Sequence, residues 1–152
     1  ILAQEIIGTY FDSINEDTAK TYGDNIYLKY GYKGIRGEAL NGFEKVFKNN
    51  RYYEDENDRF VQYLIGLMSE LKDTTILHRK DITTLEKVNN EMKSIIKNGG
   101  YLNNKELVHS LSNEYKELGI SPGGSADLLV LKIIFEDLRY LLCGNEKNGI
   151  CL

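Results

Sequence analysis

Three short segments of the chain place charged and hydroxyl-bearing side chains among glycines, which helix formation alone does not require. The last of them, SPGGSADLL at residues 121–129, sets two serines, two glycines and Asp127 at the start of a very apolar stretch. Ser125 can cap a helix there, and the backbone N–H groups around Gly123 and Gly124 can bind an anion. Asp127 could hold a metal ion or a sugar hydroxyl, or it could simply stabilise the first turn of the helix. The residues alone leave both interpretations open.

The first segment, GIRGEALNGF at residues 34–43, brackets Arg36 and Glu38 with glycines. Glycine permits close approach of the backbone to a neighbour or to a ligand. Opposite charges two residues apart in such a loop can hold each other or a ligand. In the alternative interpretation they form a loop ion pair that leads into a helix, where Glu38 would suit the positive end of the helix dipole. Neither interpretation is excluded by the residues.

The middle segment, DTTILHR, begins at Asp73 and offers a carboxylate, two hydroxyls, an imidazole and a guanidinium within a turn-sized stretch. Asp73, His78 and Arg79 are a reasonable set for binding Mg²⁺ and phosphate and for transferring a proton. The alternative is structural. The segment would then be a helix C-terminus with favourable cations, followed by Asp81 or Thr83 as the cap of the next helix.

The elements that position these segments are predicted to be helices. Apolar residues recur at helical spacing along almost the whole chain, and no stretch alternates as a half-buried strand does. Residues 20–37 differ because they interleave tyrosines with glycines, which predicts a loop. The sequence thus predicts one all-α domain over residues 1–152, a compact multi-helix bundle with a Gly/Tyr-rich loop and a central apolar C-terminal helix. The predicted helices cover residues 1–14, 38–48, 57–72, 82–96, 104–118 and 125–143.

Charge and composition exclude several classes of protein. A formal charge of −4 and a pI near 5.3 argue against nucleic-acid binding, which relies on a basic face. No apolar run reaches the ~20 residues of a membrane span. Two cysteines, Cys143 and Cys151, are too few for a disulfide framework and favour a reducing cytoplasm. A helical phosphohydrolase of the histidine-aspartate type fits poorly, because neither histidine has an aspartate beside it.

Together, the segments GIRGEALNGF, DTTILHR and SPGGSADLL resemble the signature blocks of triphosphoribosyl-dephospho-CoA synthases in their order and separations. The resemblance runs from about Gly31 to the final helix, and its last block is the most specific. It implies an all-helical transferase that moves the 5-triphosphoribosyl group of ATP to the ribose 2′-hydroxyl of 3′-dephospho-CoA and releases adenine. The product would be the prosthetic-group precursor of the citrate lyase acyl carrier protein, which a separate transferase would load. A related branch serves malonate decarboxylase.

Two departures limit what the resemblance implies. Lys80 and Asp81 follow Arg79, where family members typically have glycines, so we expect the turn there to be built differently. The polar motif of the family's N-terminal section is also not found. We therefore expect this chain to be the C-terminal part of a longer synthase, and the sequence leaves open whether it is active alone. A non-catalytic helical fragment that binds nucleotide or a partner protein is the alternative.

The resemblance also implies tasks for the polar residues of the three segments. Two polyphosphates must be neutralised, through arginines, helix N-termini and an expected Mg²⁺. A hydroxyl must lose a proton and adenine must gain one, while positive charge develops on the transferred ribose. The expected catalytic residues are Glu38, His78 and Asp127; the expected phosphate-binding residues are Arg36, Arg79, Gly123, Gly124 and Ser125; the expected metal ligands are Asp73 and Asp127.

Overall fold

The computed structural model describes residues 2–47 and 54–143, and within these ranges it contains helices and no strand. The predicted all-α class is therefore confirmed. The prediction of a single domain over the whole chain stays a prediction. The helices are α1 Leu2–Asp12, α2 Tyr22–Tyr30, α3 Gly34–Leu40, α4 Glu44–Phe47, α5 Glu56–Glu70, α6 Thr74–Arg79, α7 Ile82–Lys97, α8 Lys105–Glu117 and α9 Gly123–Cys143, with a 3₁₀ turn at Tyr101–Asn103.

The two longest predicted amphipathic helices, α5 and α7, begin at aspartate caps and form the frame of the bundle. The Asp55 carboxylate accepts the Asp58 N–H at 2.9 Å, and the Asp81 carboxylate accepts the Thr84 N–H at 2.7 Å. Such caps satisfy N–H groups that have no partner inside the helix. At the other end α7 stops at Asn98, as the Asn-Gly-Gly sequence predicts.

The core between α5 and α7 is closed by a buried asparagine. Leu85 and Val88 of α7 are fully buried in this core. Asn89, which is 3% exposed, donates its amide N–H groups to the carbonyl of Met68 at 2.6 Å and of Leu71 at 3.2 Å. These carbonyls lie at the end of α5 and lack partners within that helix. The contact fixes the end of α5, two residues before the middle segment begins.

The prediction of a loop over residues 20–37 is wrong. Two helices, α2 and α3, occupy most of it. Thr21 and Asp24 form a reciprocal capping box at the start of α2, and Gly31 ends that helix with a left-handed φ of 69°. The glycines therefore act as helix stops, because a residue without Cβ adopts positive φ at little cost.

The predicted helix over residues 38–48 is interrupted. Gly42 and Phe43 both have positive φ, 68° and 59°, and separate α3 from α4. A helix cannot continue through two residues in the left-handed region. The last residue of the predicted helix, Lys48, lies outside the described residues.

The final helix, α9, is central only over its first half. There it packs against α3, α4, α5 and α6, and Leu128 is 2% exposed. Lys132 is also buried and donates to the carbonyl of Val46 at 2.7 Å. Four apolar side chains of α9 are nevertheless exposed, Val130 in the first half and Ile134, Leu138 and Leu141 in the second, so the prediction of a central helix is wrong for the second half. No helix in residues 2–47 and 54–143 is both long and apolar enough to cross a membrane.

Candidate active site

One buried carboxylate joins the middle and last segments. Asp73 is 1% exposed, and its Oδ1 accepts the N–H of Thr75 at 2.9 Å and of Gly124 at 3.3 Å. Its Oδ2 accepts the N–H of Ser125 at 2.8 Å and the hydroxyl of Ser125 at 3.0 Å. Asp73 therefore caps its own helix, α6, and also the first turn of α9, where the helix dipoles favour negative charge.

This contact changes the roles predicted for the last segment. Ser125 was expected to cap the final helix, but α9 begins at Gly123 and Ser125 lies inside its first turn. The N–H groups of Gly124 and Ser125 do bind an anion, and that anion is the side chain of Asp73. Metal binding by Asp73 and phosphate binding by Gly123, Gly124 and Ser125 stay predictions. Both oxygens of Asp73 already accept two hydrogen bonds each.

Glycines let the starts of the three helices α3, α6 and α9 meet. Gly34 has a φ of 55°, and a Cβ added there would lie 3.0 Å from Thr74 Cγ2. A Cβ on Gly123 would lie 2.9 Å from the hydroxyl oxygen of Thr75. Side chains larger than hydrogen at these positions would push the helices apart. The three segments picked out in the sequence therefore converge in the fold.

Arg36 is held by a residue that the sequence analysis missed. Its guanidinium lies 3.6 Å from the Asp24 carboxylate and 5.0 Å from the ring centroid of Tyr10, so it does not pair with Glu38. A Cβ on Gly23 would lie 2.5 Å from Arg36 Nη2, so this glycine makes room for the guanidinium. The Arg36 side chain is still 39% exposed. It is thus oriented by its partners and open to an anion.

Asp24 is the anchor of this cluster. It is 3% exposed and accepts the Tyr10 hydroxyl at 2.5 Å and the N–H groups of Lys20 and Thr21 at 3.1 and 2.9 Å. The Tyr10 hydrogen bond, and then the bonds from Thr21 and Lys20, hold the pKa of Asp24 far below its usual range in spite of burial. The Thr-x-x-Asp pattern of a capping box was the available signal for this residue.

Glu38 lies in a different environment from Arg36. It is 3% exposed, forms an ion pair with Lys45, and accepts the Lys45 backbone N–H at 3.4 Å. The charge of Glu38 is therefore balanced by Lys45, the second residue of α4. A base at this position would have to reach the substrate from a buried ion pair. The catalytic role of Glu38 stays a prediction.

His78 and Arg79 lie exposed in the last turn of α6. The His78 ring packs against the Tyr22 ring at an interplanar angle of 41°, with 4.2 Å between centroids, and the Tyr22 hydroxyl donates to the carbonyl of Leu77 at 3.0 Å. Tyr22 immediately precedes Gly23, which contacts the Arg36 guanidinium. The ring contact with Tyr22 therefore brings His78 towards the cluster that Arg36 forms with Asp24 and Tyr10. Lys80 ends the helix with a φ of −135°, so the turn needs no glycine there.

Asp127 is exposed in the first part of α9, as expected for a residue that contacts a ligand. Within residues 2–47 and 54–143, no three aspartate, glutamate, histidine or cysteine side chains come close enough to form a metal site. A cation would therefore meet at most two such side chains at one place among the described residues.

A family model described as ATP:dephospho-CoA triphosphoribosyl transferase matches residues 3–145, a range that includes all three segments. The chain belongs to this family. The resemblance stated from the sequence is thereby confirmed. In this member of the ATP:dephospho-CoA triphosphoribosyl transferase family, the match also covers α1 and α2, the helices that contain Tyr10 and Asp24.

Three curated relatives are similar to the chain. A protein of Streptococcus equi subsp. zooepidemicus, named "Probable 2-(5''-triphosphoribosyl)-3'-dephosphocoenzyme-A synthase", is 31% identical over 93% of this chain and 51% of its own length. A protein of Streptococcus mutans serotype c with the same name is 33% identical over 80% of this chain and 44% of its own length. The 2-(5''-triphosphoribosyl)-3'-dephosphocoenzyme-A synthase of Haemophilus ducreyi is 34% identical over 79% and 39%.

The chain thus spans about half the length of the curated relatives it matches. No solved structure matches it. The arrangement of the three segments in this member of the ATP:dephospho-CoA triphosphoribosyl transferase family therefore follows from the contacts within this chain.

Proposed function

We propose that this chain carries the substrate-binding and catalytic segments of a transferase that moves the 5-triphosphoribosyl group of ATP to 3′-dephospho-CoA. The observation that supports this most is that the three family segments meet around the buried Asp73, which bonds to the last segment, while Gly34 of the first segment packs against the neighbouring Thr74. A fold that only had to bury its helices would not need two helix N-termini on one carboxylate. Nor would it need an arginine of the first segment that Asp24 orients and that stays partly exposed. The family description names the two substrates.

The proposed reaction is a substitution at C1′ of the ATP ribose. The 2′-hydroxyl oxygen of dephospho-CoA forms a bond to C1′, while the bond from C1′ to the adenine nitrogen breaks with its electron pair. The hydroxyl proton passes to a base, and adenine leaves with a proton. Positive charge develops on the ribose in the transition state, when the bond to adenine is largely broken and the bond to the hydroxyl oxygen is only partly formed. A nearby carboxylate therefore lowers the barrier.

Arg36 binds a phosphate group in this proposal. Its ion pair with Asp24 and its contact with the Tyr10 ring hold the guanidinium before any ligand arrives. A pre-oriented arginine loses less side-chain freedom on binding and can present two parallel N–H donors to an anion. Arg79, exposed at the end of α6, would bind a second phosphate.

His78 transfers the proton in this proposal, because it is exposed and is held by the Tyr22 ring, whose neighbour Gly23 contacts Arg36. Asp127, exposed on α9, stabilises the charge on the ribose. Glu38 remains the second candidate for the base. It would act after release from Lys45.

Mg²⁺ would enter with ATP. It commonly binds through substrate phosphates and only one or two carboxylates. This agrees with the described residues, among which no three ligating side chains meet; of the two expected metal ligands, Asp127 is exposed and Asp73 is occupied by hydrogen bonds. The ion would neutralise the triphosphate, and the protein groups would orient it. We further propose a cytoplasmic location, and that a separate transferase passes the product to the acyl carrier protein of citrate lyase.

The experiment is an adenine-release assay with ATP, dephospho-CoA and Mg²⁺, on the wild type, Asp127→Asn and Asp137→Asn. Both aspartates are exposed on α9, so the second variant controls for the loss of a surface charge on the same helix. We expect Asp127→Asn to lower the rate by about tenfold or more and Asp137→Asn to leave it unchanged. Equal rates in all three proteins would contradict the role of Asp127.

A second candidate function is nucleotide binding without turnover, for which Arg36, oriented by Asp24 and partly exposed, would be sufficient. Isothermal titration separates the two. Binding of ATP and dephospho-CoA without adenine release would support the second candidate, whereas release would support the first.

A further inference from the structure

A cavity of about 700 Å³ lies between α5, α8 and the segment that leads into α9. Its wall is predominantly apolar, and a small number of polar groups interrupt it. Ligand sites for small molecules are commonly of this size and composition. The residues that matter for the argument below are Met68, Met92, Ser112, Lys116, Ile120 and Pro122.

Polar contacts outside the apolar wall hold the cavity in shape. Gln62 of α5 accepts the backbone N–H of Tyr101 at 2.6 Å and fixes the turn before α8. The hydroxyl of Tyr115 donates to Glu91 of α7, so the ring of Tyr115 faces the cavity while its polar end is satisfied elsewhere. The helices α5, α7 and α8 are thereby held around the space.

The cavity adjoins the candidate active site through one short connection. Ile120 and Pro122 form part of its wall, and the next residue is Gly123, which packs against Thr75 at the start of α6. Only a few residues therefore separate the cavity wall from the contact between Asp73 and the first turn of α9, which we call the Asp73 joint. A ligand that occupied both places would follow this connection.

We propose that this cavity binds the pantetheine arm of 3′-dephospho-CoA, an inference that rests on the proposed function. Of the two substrates in the family description, only dephospho-CoA has an uncharged flexible chain in which methyl and methylene groups alternate with amides; the rest of it, and all of ATP, is nucleotide and phosphate. An apolar wall favours the dimethyl and thioethyl parts of the arm. Ser112 can hydrogen-bond an amide of the arm, and exposed Lys116 can meet the diphosphate at its end.

The two methionines of the chain give a direct measurement, because both line the cavity. With ¹³C-methyl methionine, the protein gives one signal each for Met68 and Met92. We expect both signals to shift on titration with pantetheine and with dephospho-CoA, and to stay in place with ATP. Unchanged signals with pantetheine and with dephospho-CoA would overturn the proposal.

A pair of variants tests where the arm binds. Ser112 and Ser110 are both exposed serines of α8, but only Ser112 lines the cavity. Ser112→Phe should fill part of the space and weaken pantetheine binding by about tenfold, while Ser110→Phe should bind as the wild type does. Equal binding by the two variants would overturn the proposal, because any effect would then be one of surface bulk.

The outcomes separate this inference from the proposed function. Adenine release with no methionine shift on addition of dephospho-CoA would leave the transferase standing and overturn the cavity assignment. Methionine shifts that Ser112→Phe abolishes, in a protein that releases no adenine, would support the cavity assignment and contradict catalysis by this chain.

Discussion

Asp73 carries a charge with almost no access to water, and groups from two helices balance it. Its four hydrogen bonds come from three backbone N–H groups and one hydroxyl, so each oxygen serves as an acceptor only. A carboxylate is the only common side chain of this size that can accept all four. The sequence predicted that Asp73 matters but assigned it to a metal, because its partners on α9 lie more than fifty residues away and no local pattern reveals them.

Asp73→Asn should therefore be costly although the two side chains have the same shape. The amide NH₂ would face N–H donors, and we expect the free energy of unfolding to fall by about 2–4 kcal/mol. Urea unfolding of the wild type and of the variant measures this change in free energy. Asp81→Asn is the matched control, because Asp81 is an exposed helix cap and asparagine caps a helix equally well. A similarly small change in both variants would mean that the joint contributes little.

Asp24 predicts a pH dependence of stability. Its pKa is lowered from 3.8 in the fold, so the unfolded chain takes up a proton first as the pH falls. The stabilisation is fully present well above 3.8 and is lost as the pH falls through that value towards the folded pKa. The difference in unfolding free energy between the wild type and Asp24→Asn should shrink between about pH 6 and pH 3.

Tyr10→Phe is the companion variant for this measurement. It keeps the carboxylate and removes its strongest hydrogen bond, so it should weaken the pH dependence without abolishing it. A pH profile of Asp24→Asn parallel to that of the wild type would show that another group is responsible.

At the scale of the elements, local signals were reliable and signals that depend on distant partners were not. The caps at Asp55 and Asp81 lie within three residues of the N–H groups they accept, so the sequence alone indicates them. Residues 20–37 were misinterpreted because glycine marks both loops and helix ends, and the local capping-box pattern of Thr21 and Asp24 was overlooked. The positive φ of Gly31 ends α2, and that of Gly42 separates α3 from α4.

The close approach of helix starts gives a test at this scale. Gly34→Ala puts a methyl group at positive φ and at 3.0 Å from Thr74, and we expect it to destabilise the fold by about 1–3 kcal/mol. Gly66→Ala is the control. Gly66 lies inside α5 with open space around its Cβ position, so alanine there should stabilise by about 0.5–1 kcal/mol. Thermal or urea unfolding would refute the packing argument if both variants changed stability in the same direction.

At the scale of the whole molecule, the candidate active site and the apolar cavity lie at either end of one connection between α8 and α9. The order of the three segments predicted that they meet, by resemblance to a family. The cavity could not be predicted, because its wall consists of ordinary apolar positions on separate helices that look like core residues in the sequence. The exposure of the second half of α9 could likewise not be predicted, because an apolar stretch of sequence does not indicate which neighbouring element covers it.

Ligand binding should stabilise the whole chain. A ligand that binds only the folded state at a hundred times its Kd stabilises by about 2.7 kcal/mol. We expect ATP with Mg²⁺ to raise the unfolding midpoint of the wild type and of Lys97→Ala, whose side chain is exposed at the end of α7. Arg36→Ala should lose most of that rise. An undiminished rise in Arg36→Ala would remove this arginine from the phosphate site.

The Asp73 joint also has a consequence for the order of folding. Its bond to Ser125 closes a loop of 52 residues that contains α6, α7 and α8, and closing such a loop costs chain entropy before any contact is gained. We expect the local pair α5 and α7 to form early and the joint to form late. A growing chain would therefore acquire its bundle first and its candidate active site last, when the start of α9 arrives to receive the charge.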